Sequence, residues 1–186
     1  SRRLSIQLVN AGKKNGSNLI TSYWRTMRCC EAISKMHDDT LRTEYCKNRW
    51  CMVCNSIRTA QLIEDYVPLL EELPNKYFVT LTIPNVIGLE LPIAITNMQK
   101  TFNSMRKVFT KRHMKNENQY LVGIRKLECT YNAIFNDYHP HYHLIVDGKQ
   151  NAEDIVSYWL KKYPNANRKA QDIRSADENS VKELFK

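Results

Sequence analysis

Three of the five histidines in this 186-residue chain fall in the segment YHPHYHLIVD, at positions 139, 141 and 143. On a β-strand, residues two apart point to the same face and lie about 6.6 Å apart. Two imidazoles so placed can bind one cation at about 2.1 Å each. His141 and His143 are therefore predicted to form half of a metal site, while Tyr142 and Leu144 point the other way, into the core.

A third ligand is expected from a neighbouring strand, and the candidate is Glu128 in the segment KLECTYN. A short connection would pair the two strands antiparallel and bring its carboxylate towards the histidines. Two histidines and one carboxylate leave positions open for a substrate oxygen and water, which suits Lewis-acid chemistry on a phosphodiester. The alternative is a coincidental run of surface or core histidines. His139 is separated from the strand by Pro140, so a loop role and a ligand role are both open.

Five of the six cysteines lie between Cys29 and Cys54. No charged-then-apolar signal sequence is present, so thiolate chemistry is expected rather than disulfides. Cys46 and Cys51, with Cys54, follow the spacing C-x4-C-x2-C. Buried apolar cysteines are the alternative, but the pattern with its basic neighbours favours zinc. These neighbours are Lys47, Arg49 and Arg58.

The composition favours a globular protein with a polyanionic partner. Apolar residues make up 42% of the chain and charged residues 25%, and the net charge is +9. The partner would be nucleic acid or an anionic membrane. Alternatively, the positive net charge serves only to keep the protein soluble. No run of 18 apolar residues occurs, so we expect no membrane span and a cytoplasmic location. Basic residues cluster in two stretches, Arg106, Lys107, Lys111, Arg112 and Lys115, and Lys161, Lys162, Arg168 and Lys169.

Hydrophobic periodicity predicts the elements that position these groups. Strands are expected at 77–85, 125–135, 141–147 and, at a sheet edge, 170–176. Helices are expected at 56–72, at 93–113, from about Asn151 to Pro164, and from a capping box of Ser180 and Glu183. Residues 1–22 are expected to form a loosely ordered arm, and Cys129 to be in the core. This order predicts an α+β fold: a central antiparallel sheet with the His-x-His motif on an inner strand and helices packed on it.

The segments FVTLTIPN, LECTYN and YHPHYHLIV, in this order and spacing, closely resemble the motifs of bacterial plasmid rolling-circle replication initiators in the HUH endonuclease superfamily. The likeness runs from about Tyr23 to Lys186. In that family the histidine pair binds Mn²⁺ or Mg²⁺ with a glutamate of the preceding strand. The resemblance places these ligands at His141, His143 and Glu128.

The segment YCKNRWCMVCNSIR resembles a cysteine segment of the same family, whose fourth cysteine lies upstream, after an Arg-rich turn. The resemblance implies a small N-terminal Zn²⁺ knuckle of Cys30, Cys46, Cys51 and Cys54, with Cys29 as the alternative to Cys30. Residues 1–57 would form the basic arm and knuckle, and residues 58–186 the nuclease domain. The residues expected to bind DNA are Lys47, Arg49, Arg106, Lys107, Lys111, Arg112, Lys161 and Lys162.

The activity implied by the resemblance is site-specific nicking and joining of single-stranded or hairpin origin DNA through a 5′-phosphotyrosine. The family's tyrosine follows a pattern similar to E-L-x-K-Y, and this chain reads KELFK at 182–186. The nucleophile would therefore follow Lys186, and the nuclease domain is expected to stop just before the tyrosine helix is complete. Tyr158 is the fallback nucleophile, because Tyr163 fits an apolar helix stripe and is expected in the core. Host helicase and polymerase are further candidate partners.

Two other functions fit part of the sequence. A non-catalytic zinc-knuckle DNA-binding protein would explain the cysteines and the charge, but it gives no reason for His141, His143 and Glu128. Another HUH enzyme, such as a transposase or a relaxase, would explain the histidines. The cysteine segment favours the plasmid initiator.

Overall fold

The computed structural model describes residues 2–118 and 120–185, so Ser1, Gln119 and Lys186 lie outside it. The chain divides into two compact units, residues 1–65 and 66–186. The boundary between the units falls inside a helix, after residue 65, which is eight residues beyond the predicted boundary at residue 57.

The first unit begins with two helices, α1 (Arg2–Lys14) and α2 (Ile20–Met27), so the expected arm is wrong for the described part of residues 1–22. Val9 and Gly12 lie on one buried face of α1. A side chain at Gly12 would place its Cβ 3.2 Å from Cγ1 of Ile20. The glycine and the many polar residues suggested a loop, but they belong to an amphipathic helix whose glycine allows close packing.

The first unit continues with a hairpin of β1 (Ile33–Lys35) and β2 (Leu41–Thr43), which pair antiparallel. Helix α3 (Met52–Glu71) follows and starts earlier than the predicted residue 56. The hairpin was not predicted from the sequence because its strands are three residues long and mostly exposed, so they carry no clear alternation.

The second unit contains an antiparallel sheet of five strands among the described residues. The strands are β3 (Lys76–Thr82), β4 (Val86–Ile87), β5 (Gly123–Asn132), β6 (Asp137–Asp147) and β7 (Asp172–Ser175). Their order is β4-β6-β3-β7, with β5 paired to β6 along its whole length. The histidine motif therefore lies on an inner strand, as predicted, and β7 is the predicted edge strand.

Three helices complete the second unit: α4 (Leu91–Met114), α5 (Lys149–Lys162) and α6 (Glu178–Phe185). Helices α4 and α5 bury Met98, Phe102 and Trp159 in one core with Tyr142 and Leu144 of β6. Because alternate strand residues point to opposite faces, this core occupies the sheet face opposite His141 and His143. The indole N–H of Trp159 donates to the carbonyl of Thr82 at 2.8 Å and fastens α5 to β3. None of the described helices is both long and apolar enough to cross a membrane.

Two local predictions are corrected. Strand β6 begins at Asp137, so His139 and Pro140 lie on the strand and the turn occupies residues 133–136. Cys129, which pairs with Pro140, is exposed rather than buried in the core.

The predicted capping box of Ser180 and Glu183 is also wrong, because α6 begins at Glu178. The carboxylate of Asp177 accepts from the N–H of Ser180 at 2.8 Å, and the N–H of Asp177 donates to the Ser180 hydroxyl at 3.3 Å. Asp177 and Ser180 thus form the reciprocal cap one turn earlier than expected.

Gly123 provides a test of the β5–β6 packing. A Cβ there would collide with the carbonyl oxygen of Ile145 and would lie 2.9 Å from Cγ1 of Val146. Because the first of these atoms belongs to the backbone, we expect Gly123→Ala to lower the free energy of unfolding by roughly 1–3 kcal/mol in urea titrations. Gly88→Ala is the control, since its Cβ would meet only Tyr138 at 3.4 Å. Equal stability of both variants would contradict this packing.

Candidate metal centres and nucleic-acid surfaces

The sheet register brings the predicted histidine–glutamate group together. Glu128 of β5 is the cross-strand partner of His141 on β6, so both side chains lie on the same face. Its Oε2 atom lies 3.6 Å from Nε2 of His141 and 3.8 Å from Nε2 of His143. One ligand atom from each residue lies within 4.8 Å of the others. These separations suit donors around one divalent cation.

Hydrogen bonds orient both imidazoles with Nε2 towards Glu128. Nδ1 of His141 lies 3.0 Å from the carbonyl oxygen of His139, which can only accept, so Nδ1 carries the proton. Nδ1 of His143 lies 3.2 Å from the hydroxyl oxygen of Thr80, its cross-strand partner on β3. An Nδ1–H donor leaves a lone pair on Nε2, the form that binds a metal.

The surroundings of His143 favour its neutral form. Burial lowers the pKa of His143, and the charge of His141 lowers it further, against the opposing effects of Glu128 and Glu183. A neutral ring is the ligand form, so a lowered pKa reduces competition from protons. The second oxygen of Glu128 pairs with Nζ of Lys126 at 2.6 Å, so the negative charge of the carboxylate is balanced by the lysine.

His139 lies beside this group but not in it. Its ring stacks on His141 with centroids 5.2 Å apart, and its Nδ1 lies 2.8 Å from Oδ1 of Asn85. Its strand position resolves the loop alternative, and its ring contributes no atom to the three-ligand group. Its carbonyl, not its imidazole, serves the group by orienting His141.

Glu128, His141 and His143 are called the metal group below. Sequence reasoning missed Thr80 and Glu183 as neighbours of this group. Thr80 alternates with Thr82 in the segment VTLT, and polar residues at alternate strand positions were the available signal. Glu183 is on α6, and its charge acts on His143. Helix α6 also packs against β6, so it lies near the histidine face. That contact joins distant parts of the chain and has no signature in local spacing.

The second group consists of four cysteines within the first unit. Sulfur atoms of Cys29, Cys46, Cys51 and Cys54 all lie within 4.8 Å of one another. Cys29 and Cys54 are 3.5 Å apart, and Cys46 and Cys54 are 3.6 Å apart. Four soft sulfur donors at these distances fit a closed tetrahedral zinc site.

The fourth member of this group is Cys29, which corrects the preferred assignment of Cys30. Cys30 has a left-handed backbone conformation with φ of 58°, and its N–H donates to the carbonyl of Glu44 at 3.1 Å. It forms the turn that follows α2, whereas the sulfur of Cys29 accepts the N–H of Cys46 at 3.5 Å and joins the group. Adjacent cysteines cannot be separated by spacing alone, because the difference depends on this backbone turn.

Polar groups around the sulfurs favour a thiolate at Cys46. Burial opposes ionisation, but hydrogen bonds with the Asn48 backbone, the Thr26 side chain and neighbouring thiols lower the pKa of Cys46 to about 7. The N–H of Lys47 donates to the sulfur of Cys54 at 3.3 Å. Backbone donors of this kind stabilise metal-bound thiolates.

Residues 38–151, more than half of the chain, match the model of the Replication protein family. The matched segment contains Glu128, His141, His143 and three of the four grouped cysteines, and Cys29 precedes it. The chain belongs to the Replication protein family. The resemblance to plasmid rolling-circle replication initiators is thereby confirmed.

Three similar proteins carry the name "Protein rep". The one from Streptococcus pneumoniae serotype 2 is 28% identical over 204 residues, covering 98% of this chain and 61% of the relative. The one from Staphylococcus aureus is 32% identical over 131 residues, covering 63% of this chain and 54% of the relative. The one from Bacillus amyloliquefaciens is 28% identical and covers 75% of this chain and 48% of the relative. The chain thus spans about half the length of these relatives. No solved structure matches it significantly.

Tyr158 is not brought to the metal group of this replication protein. It lies on α5 and packs against the core that contains Tyr142, with Nζ of Lys162 5.8 Å from its ring centroid. The sheet therefore separates Tyr158 from His141 and His143. Tyr163, as predicted, packs against the same core, and its hydroxyl lies 3.2 Å from that of Thr101.

The basic residues predicted to bind DNA are exposed in both units. Lys47 and Arg49 flank the cysteine group, and Arg112 lies 3.8 Å from Asp154 in an ion pair. The charged residues of α4 and α5 project from helices on the face opposite His141. Their role as phosphate contacts stays a prediction. They are Arg106, Lys107, Lys111, Arg112, Lys161 and Lys162.

A pair of adjacent cysteines tests the zinc group. We expect Cys29→Ser to lower zinc affinity strongly and to change the thiolate-to-metal absorption of the cobalt-substituted protein. Cys30→Ser should retain one zinc per chain and the wild-type cobalt spectrum, because its sulfur is outside the group. Zinc loss from Cys30→Ser with retention by Cys29→Ser would reverse the assignment.

Thr80 tests the orientation of His143. Replacing its hydroxyl in Thr80→Val removes the partner of Nδ1, and we expect Mn²⁺ affinity to fall roughly tenfold to hundredfold in calorimetric titrations. His141→Ala provides the scale for removal of a ligand. Thr130→Val is the matched control, because Thr130 lies on the same face but pairs with His139 instead. An unchanged affinity in Thr80→Val would show that packing alone holds the ring.

Proposed function

We propose that this chain is the metal-dependent HUH nicking domain of a rolling-circle replication initiator. Its substrate would be single-stranded origin DNA, free or in the loop of a hairpin, which it cleaves at one site and later rejoins. The observation that carries the proposal is the convergence of Glu128, His141 and His143 on one sheet face in a chain of the Replication protein family. This family membership favours an initiator over a transposase or a relaxase.

The residues present fit a divalent cation, Mn²⁺ or Mg²⁺, because two Nε2 atoms and one carboxylate oxygen converge. The Nδ1 atom of His141 is already hydrogen-bonded to a backbone carbonyl, which leaves its Nε2 atom for the cation. A cation bound there would supply Lewis-acid polarisation of a non-bridging oxygen of the scissile phosphate. The protein's own contribution is positional. Thr80 and the His139 carbonyl hold the rings, and Lys126 fixes the Glu128 carboxylate.

We further propose that the nucleophile is the tyrosine that the family pattern places directly after Lys186. Residues 182–185 lie on α6, which packs against β6, and the charge of Glu183 acts on His143. A tyrosine on a continuation of α6 would therefore approach the metal group on the sheet face that carries His141 and His143. Its hydroxyl would lose its proton as the oxygen bonds to phosphorus and the bond between phosphorus and the 3′ oxygen breaks. The leaving 3′ oxygen takes a proton and becomes the primer end.

Covalent capture keeps the energy of the phosphodiester bond, because one ester replaces another. The strand can then be rejoined without another energy source. Zn²⁺ at Cys29, Cys46, Cys51 and Cys54 would hold the first unit in a DNA-binding shape, with Lys47 and Arg49 as nearby phosphate contacts. The zinc site would be structural, because four protein sulfurs leave no coordination position for substrate. Host helicase and polymerase are proposed as partners of the complete initiator.

An adduct assay tests the proposal. The chain extended by its next dozen native residues is incubated with Mn²⁺ and single-stranded DNA of the replicon's origin, then separated on denaturing gels. We expect a protein–DNA adduct that survives denaturation and carries the 5′ end of the cleaved strand. His141→Ala and His143→Ala should abolish the adduct while DNA binding persists, since they remove cation ligands rather than the DNA surface.

The control is Tyr158→Phe, which should leave the adduct unchanged because the sheet separates Tyr158 from the metal group. Loss of the adduct in this variant would place the nucleophile on α5. Tight DNA binding without any adduct would instead support the non-catalytic zinc-module function.

A further inference from the structure

A cleft of about 520 Å³ lies within the first unit, beside the four cysteines. One wall consists of Trp24 and Arg25 of α2 and of Arg28, which caps the C-terminal end of this helix. The other wall is the segment after β2 and contributes Glu44 and Tyr45. This volume falls within the range of about 300–1,000 Å³ that is typical of small-ligand sites. Nothing in the proposed nicking chemistry uses this cleft.

Two aromatic side chains in this cleft are open to solvent. Trp24 is 37% exposed and Tyr45 is 44% exposed. Neither ring stacks on another aromatic ring among the residues that the structure describes. Trp50 in the same unit behaves differently, because its indole N–H donates to Thr26 and its ring packs against Tyr23. The open rings are therefore available to a ligand with a flat apolar surface.

The charges beside these rings suit phosphate. Arg25 and Arg28 are three residues apart at the end of α2, so they lie on neighbouring positions of one helix face. Both are exposed, and neither forms an ion pair with a residue in the described part of the chain. Arginines without an acidic partner next to open aromatic rings are the combination that binds single-stranded nucleic acid.

We propose that this cleft binds an unpaired nucleotide of the origin DNA. The base would pack against the rings of both Trp24 and Tyr45, and the flanking phosphates would pair with Arg25 and Arg28. Glu44 would accept a hydrogen bond from an exocyclic amino group of the base. The inference rests on the proposed function, which supplies single-stranded DNA as the substrate. It adds a base-binding subsite, remote in sequence from the nicking residues.

The chemistry favours unpaired DNA over the other polyanions. A duplex keeps its bases stacked and leaves the ring faces of Trp24 and Tyr45 unused. An acidic peptide would pair with Arg25 and Arg28 but has no need of two open rings. Cys29 and Cys46 also line the cleft, so a metal bound by the four cysteines would fix the distance between its walls.

Fluorescence anisotropy with a labelled single-stranded origin oligonucleotide tests the subsite on the zinc-loaded chain. We expect Trp24→Ala and Tyr45→Ala each to weaken binding about tenfold, the effect of losing one stacked base. Arg25→Gln and Arg28→Gln should each lower the slope of log affinity against log salt by about 0.7. Arg42→Gln is the matched control, because Arg42 is exposed in the same unit but lies outside the cleft.

Intrinsic fluorescence gives a second readout that does not depend on affinity. In the Trp50→Phe variant the remaining indoles are exposed Trp24 and buried Trp159. Stacking of a base on Trp24 should quench the emission with single-stranded DNA and leave it unchanged with a duplex. Removal of zinc by a chelator should abolish the quenching by deforming the cleft.

Each contrary result has a distinct meaning. Wild-type affinity in both aromatic variants overturns the subsite, while the proposed nicking function stands. A reduced salt slope in the arginine variants without any effect of the aromatic variants also overturns it, and leaves only a phosphate-binding surface. No binding of the oligonucleotide by the wild-type chain would overturn the proposed function together with the subsite.

Discussion

Along β6, successive side chains enter two environments with opposite requirements. Tyr142 and Leu144 need a dry, close-packed core against α4 and α5, whereas His141 and His143 need a face on which polar atoms converge. A register shift of one residue would bury the histidines under the helices and expose the tyrosine. The apolar core therefore fixes the metal group, because the free energy of burying Tyr142 selects the register that pairs His141 with Glu128.

The same constraint acts on the protonation of the site. Apolar residues continue onto the histidine face, where Phe78 lies with its ring centroid 5.1 Å from that of His143. This partial burial is what lowers the pKa of His143 and keeps the ring in its ligand form near neutral pH. Glu128 avoids the cost of a buried lone charge because Lys126 pairs with it. Structural packing and ligand chemistry are thus two effects of one sheet.

The parts of this arrangement that follow a short period were predictable from the sequence. The His-x-His spacing, the facing Glu128 and the stripe of α4 depend on periods of 2 and 3.6. The parts that failed depend on backbone conformation or on distant contacts. Cys29 replaces Cys30 because of a left-handed turn at Cys30. Helix α1 was missed because its buried face carries only small residues and one valine, and its stability comes from packing against α2.

Binding a polyanion and binding a metal cation place conflicting demands on one surface, since basic residues that attract phosphate repel a cation. In the second unit the sheet separates the two, with the basic residues of α4 and α5 on the face opposite His141. On the histidine face two basic side chains are neutralised locally, Lys126 by Glu128 and Arg174 by Asp172. A DNA strand that contacts both faces must therefore pass around an edge of the sheet. Such a path suits a flexible single strand better than a stiff duplex.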